Sequence, residues 1–250
     1  MSTRTALVLV LTLGLMGSGE AQTSADANCT SATGHQLSHD MRWMGRGILL
    51  APKHAIQPGN LKWEIPVVAA TALMINYGDT PASRQIQNIH VENAANRFSD
   101  IGQYGAWGLA GALYAFGCAK HRDGLRSTGF RALEAGASAM AIDSLLKVAA
   151  NRVRPDLFNS QGNFWDAGGR SFASGHAAVS FAIASVLAHN TQSRWKKVAL
   201  YGLAGAVSFA RFPAKKHFLS DILVGSTIGY VTGTYIYAAP PMSTHTATAP

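Results

Sequence analysis

The sequence predicts an all-α bundle, and three observations carry that expectation. No stretch alternates apolar and polar residues with a period of two, the mark of a half-buried strand. Apolar residues instead recur at helical spacing through most of the chain. The candidate helices are rich in Ala, Gly and Ser, which lets backbones approach closely. Of the 250 residues, 48% are hydrophobic and only 14% are charged, a balance that excludes a disordered chain. Gly without a three-residue period excludes a collagen, and two cysteines exclude a disulfide-built scaffold. The length fits one domain.

The first 21 residues read as a secretory signal peptide: Arg4, an apolar run from Ala6 to Met16, then the small-residue site Gly19-Glu20-Ala21. The expected destination is the periplasm or the periplasmic face of a cell envelope. Residues 22–60 form an N-terminal segment whose Leu37, Met41, Met44 and Ile48 repeat with a helical period. That helix docks on the core or rests on a membrane. Export would permit a Cys29–Cys118 disulfide, although Cys118 equally suits a small buried hydrophobe.

The domain proper is expected over 61–238. It opens with an apolar run from Ile65 to Tyr77. Thr80 then reads as an N-cap with Pro81 in the first turn, starting a helix that carries Ile86, Ile89, Ala94, Phe98 and Ile101. Tyr104 to Ala119 is uncharged and Gly/Ala-rich. A further helix carries Phe130, Leu133, Ala137, Met140 and Val148 and ends near Arg152. Segments 177–188, 198–210 and 219–237 complete the set, and 239–250 is a tail expected to be disordered. The formal charge of +8 is scattered, which disfavours nucleic acid and leaves anionic lipid surfaces and small anionic substrates.

Three clusters hold the chemistry. Lys147 precedes Arg154-Pro155 by seven residues, a spacing that a helix would place on one side; Pro155 disfavours helix at Arg154 itself. Ser174-Gly175-His176 opens the helix at 177–188, where free N–H groups make an anion site. Arg211, His217 and Asp221 follow, the last two at i and i+4, so that the carboxylate can accept Nδ1–H and leave Nε2 free. Each alone fits an ordinary helix end. Together they supply what phosphoryl transfer needs: cations, an N–H cradle, a nucleophile and an acid.

These motifs, Lys147-x6-Arg154-Pro155, Ser174-Gly175-His176 and Arg211-x5-His217-x3-Asp221, resemble the three signatures of the type 2 phosphatidic acid phosphatase (PAP2) superfamily. That superfamily includes class A acid phosphatases and vanadium haloperoxidases. The resemblance implies a helical bundle with the active site at one end. It implies that His217 attacks phosphorus to form a phosphohistidine, that Asp221 orients it, and that His176 protonates the leaving oxygen and then activates water. Lys147, Arg154, Ser174, Gly175 and Arg211 would bind the phosphate, and no metal or cofactor is required. Ala173 and Ala210 depart from the usual Pro and Ser at those positions, which bears on rate and substrate preference.

The function so implied is an exported phosphatase acting on phosphate monoesters or lipid phosphates and diphosphates, with a membrane surface as partner. The alternatives are a vanadate-dependent haloperoxidase, or a non-catalytic envelope protein that binds anionic lipid. Between the first two motifs, Phe164 and Trp165 sit in a long loop and are expected either to border the substrate entrance or to pin the loop to the core.

Overall fold

A computed structural model describes residues 61–87, 90–157, 161–166 and 169–238 of the chain. The expected signal peptide, the amphipathic N-terminal segment, the Cys29 pairing and the tail lie outside the described residues. Within them the protein is all helix, as the patterning predicts: α1 (Leu61–Leu73), a π-helical turn (Met74–Gly78), α2 (Asp79–Ile86), α3 (Glu92–Ala119), α4 (Asp123–Ala150), α5 (Gly175–His189), α6 (Arg194–Phe209) and α7 (Leu219–Ala238).

The helix α5 is the axis of the bundle. It carries no charged residue between His176 and His189, and nearly all of 177–188 is buried, as expected for a helix apolar all round. It packs against α3, α4, α6 and α7. The core around it is built from Ala110, Ala132, Ala135, Ala139, Val179, Ile183 and Ile236, so small side chains set short interhelical distances. The closest approach is with α7. A Cβ at Gly225, Gly229 or Gly233 would fall within 2.4 Å of the α5-side carbonyls of Ser174, Ala178 and Ala182. Glycine every fourth residue therefore lets the two backbones touch, and it seats the start of α7 against the start of α5.

Two expectations for helix boundaries change. The helix predicted from Thr80 through Ile101 is two helices, α2 ending at Ile86 and α3 starting at Glu92. The side chain responsible is Lys215, which donates to the Gln87 carbonyl and pairs with Glu92, holding the chain in a turn there. Thr80 is not a cap, because helix already continues from the π-helical turn into Asp79; its hydroxyl donates to the Gln161 carbonyl at 3.2 Å. In addition, α4 stops at Ala150, capped by Asn151 at φ 40°, four residues short of Arg154. Lys147 and Arg154 are therefore not related by helical spacing.

Glu134, buried in α4, is pushed up to about 7 from 4.5 by burial, with Arg131 opposing only in part. Between those values the folded protein holds a proton that the unfolded chain releases. For this group stability is highest at acid pH and falls as pH rises through that window, by about 3 kcal/mol at most. Glu134→Gln removes the cost. Urea denaturation should show the variant gaining on wild type between about pH 5 and about pH 8, whereas a gap constant with pH contradicts the account.

Candidate active site

Successive antiparallel helices put alternate junctions at the same end of the bundle. The α4–α5 and α6–α7 junctions meet there, and these are the segments that carry the three motifs. Backbone bonds tie them together: Ser171 N donates to the Arg152 carbonyl (2.9 Å), and Ser174 N to the Asp221 carbonyl (3.1 Å).

His217 is 3% exposed. Its Nδ1 lies 2.7 Å from the Ser171 carbonyl and 3.7 Å from Asp221 Oδ2. The backbone carbonyl thus holds the Nδ1 proton, and Asp221 stands behind it as a charge. This differs from the arrangement expected from the i, i+4 spacing alone. The result for the ring is the same tautomer, with Nε2 unprotonated and available. Burial pushes the imidazole below its ordinary value, against the pull of Asp221. Burial thus favours the neutral ring, the form that a nucleophile would need.

Asp221 is fully buried. Its Oδ1 takes Arg152 Nη1 at 2.6 Å, and its Oδ2 takes the Ser171 hydroxyl at 2.5 Å and Phe218 N at 2.9 Å. Burial alone would raise this carboxyl, but His217 and Arg152 hold it below the usual carboxylate range. Arg152 is the unforeseen centre of this region. It is 1% exposed, reaches Asp79 through Nη2 (2.8 Å) and Ser220 through Nη1 (2.7 Å), and lies between the Phe164 and Phe218 rings at 4.8 and 4.3 Å. Its Nε donates to the carbonyl of Gly162, whose φ of +71° few other residues adopt.

His176 meets a residue that the sequence did not single out. Its Nε2 is 2.8 Å from Asp100 Oδ1, on α3. The same carboxylate lies 3.4 Å from Arg211 Nη1, which also donates to Asn96 Oδ1 at 2.6 Å. Burial, then the Arg211 charge, pushes His176 down to about 4, with Asp100 pulling the other way. Asp100→Asn would lower it further and so shrink the protonated fraction that a proton-donor role for His176 would need. Turnover should then fall more for esters with poor leaving groups than for 4-nitrophenyl phosphate, by about tenfold or more. An equal loss on both contradicts this role.

Lys147 is held by Asp143, one turn before it in α4, and both lie at the start of α5. An added Cβ at Gly175 would fall 2.8 Å from Asp143 Oδ2 and 3.3 Å from Lys147 Nζ. Arg154 lines a cleft with Asp156, Leu157 and Arg170. Three buried polar atoms of the motifs, Arg154 Nε, Ser174 Oγ and Arg211 Nε, have no hydrogen-bond partner. Ser174 sits at the N-cap of α5 without capping it, so its hydroxyl is free for something else. Unpaired buried donors gathered among cations and a helix N-terminus make a cradle for a tetrahedral oxyanion.

The loop aromatics divide. Phe164 packs edge-on to Phe172 (5.5 Å) and over Arg152, pinning the loop. Trp165 is 80% exposed, with its indole N–H donated to the Ala149 carbonyl at 3.1 Å. Among the described residues no group of His, Cys, Asp and Glu could hold a metal ion.

Fold and site together define a class, an all-helical protein with an oxyanion cradle at one end of the bundle. The family model of the PAP2 superfamily matches residues 129–245, a segment that contains all three motifs. It is 24% identical over 235 residues to a lipid A 1-phosphatase of Porphyromonas gingivalis, covering 91% of this chain and 47% of the relative. The chain thus spans about half the length of that curated relative. The fold is similar to that of a transmembrane PAP2-type phosphatidylglycerolphosphate phosphatase from Bacillus subtilis, with a TM-score of 0.56 and 18% identity over 70% of this chain and 92% of the other. A second solved structure, Aquifex aeolicus LpxE, gives a TM-score of 0.46 at 24% identity, covering 63% and 93%.

Proposed function

We propose that the protein is an exported phosphatase that hydrolyses lipid phosphates at a membrane surface through a phosphohistidine. The observation that carries this reading is the placing of a neutral, tautomer-fixed His217 beside a cradle of unpaired cationic and hydroxyl donors, with a second imidazole, His176, at the same cradle. His217 Nε2 attacks phosphorus as the ester P–O bond breaks, and the leaving oxygen takes a proton from His176, which reacts as the imidazolium, a form that the charge of the bound anionic substrate favours. Water then attacks the phosphohistidine, His176 takes its proton, and the P–N bond breaks. Lys147, Arg154 and Arg211 hold the oxygens on which charge is spread. With Asp100 on Nε2 of His176, Nδ1 is the nitrogen left to exchange protons with the leaving oxygen and with water.

Apolar surface around the site supports a lipid substrate. Ile101 beside Asp100 is 74% exposed, Val148 beside Lys147 is 73% exposed, and Phe209 and Leu157 are exposed near Arg211 and Arg154. Tyr104 on α3 and Trp195, Val198 and Leu203 on α6 are further large apolar side chains left exposed. No helix among the described residues is long and apolar enough to cross a membrane. These faces and the net positive charge therefore suit the surface of an anionic bilayer. The phosphatase name of the curated relative favours hydrolysis over haloperoxidase chemistry. The reading is tested by phosphate release from an aryl phosphate and from phosphatidate in vesicles, with flotation of the protein on anionic vesicles. It predicts turnover of both and co-flotation, and absence of phosphate release contradicts it.

A further inference from the structure

Asp143 is a buried carboxyl that the reaction just described does not use. It is 3% exposed and lies against the start of α5, where a Cβ added at Gly175 would fall 2.8 Å from its Oδ2. Its Oδ2 pairs with Lys147, and Oδ1 has no hydrogen-bond partner although it is buried. A carboxylate here is unexpected, since it offsets one of the cations that an anionic substrate needs. Where the purpose is only to fix Lys147, one oxygen suffices. The second oxygen, a buried acceptor without a partner, can be satisfied by a hydrogen that arrives with the ligand.

We infer that Asp143 is a further phosphate-site residue: a phosphoryl group binds together with one proton, shared between Asp143 Oδ1 and a phosphoryl oxygen, while Oδ2 keeps Lys147 at the start of α5. The inference rests on the phosphatase reading and adds that the ester is taken as its monoanion, or equivalently as the dianion with Asp143 protonated. The charged groups bearing on Asp143 are Lys147 on its own helix and Asp221 from α7. His176 of α5 and His217 face the same cradle. Burial, against Lys147, holds the Asp143 carboxyl above its ordinary value, in keeping with a proton it can share. Both imidazoles are held below their ordinary value by burial.

Orthophosphate is the probe, titrated calorimetrically into wild type, Asp143→Asn and Asp143→Ser at about pH 6 and about pH 8, with turnover of 4-nitrophenyl phosphate measured on the same preparations. The wild type is expected to bind about tenfold more weakly at the higher pH, where the shared proton is lost. In the variants, which carry no negative charge to neutralise, that dependence should shrink to about twofold or less. An active wild type whose affinity is flat across this range overturns the inference without any variant. Parallel slopes in wild type and a folded variant also overturn it, since a merely structural role would shift affinity uniformly. Wild type that binds orthophosphate with the expected slope yet turns over no ester overturns the phosphatase reading and not the shared proton.

Discussion

Replacing His217 with alanine is expected to abolish phosphate release, with a loss on the order of 10⁴-fold or more. The magnitude follows from the position of the ring. His217 alone among the cradle residues combines full burial, a fixed tautomer and a neutral state held by its surroundings. On the proposed reading, the donors that would remain, Lys147, Arg154 and Arg211, would bind the phosphate without opening a path to break its ester bond. The variant should therefore keep its affinity for orthophosphate within about threefold while losing turnover. His217→Ala leaves a small cavity against Ser171, so circular dichroism and a thermal melt accompany the assay. Turnover within tenfold of wild type in a folded variant contradicts the nucleophile assignment.

The second large effect is on stability. Arg152→Met leaves Asp79 and Asp221 as buried carboxylates without their shared counter-charge, and it removes the cation between two aromatic rings. Breaking a buried ion pair from one side costs about 3–5 kcal/mol. The loss should appear in urea denaturation and should be partly restored by adding Asp79→Asn, which removes one stranded charge. Arg152 also anchors Asp221, so activity should fall together with stability. A folded Arg152→Met with wild-type stability would show that this cluster contributes little.

Much of this architecture was legible in the residues. Helical spacing without alternation gave an all-α chain; the segments at 177–188 and 219–237 fall inside α5 and α7, and 198–210 overruns the end of α6 by one residue. The placing of the motifs at one end was implied by the family resemblance, and its physical reason is that alternate junctions of an antiparallel bundle share an end. The misses have physical causes. The break after Ile86 depends on Lys215, more than a hundred residues away, satisfying the Gln87 carbonyl. Asp100, Asp79 and Ser171 act through contacts that no local spacing encodes. Two signals were available. Asp143 and Lys147 stand at i and i+4 with the acid first, the favourable order on a helix. Arg152 lies two residues before Arg154, where it reads as one more surface charge until its burial is known.

The account stands most directly on a covalent bond to His217. Brief reaction of wild type and His176→Ala with a ³²P-labelled aryl phosphate, quenched in base, should leave label on the protein that acid releases and that maps to His217. More label should be retained in His176→Ala, because an aryl leaving group departs without help whereas hydrolysis of the intermediate still needs a base. Steady release of phosphate with no trapped label in either protein, or label on any other residue, would contradict it.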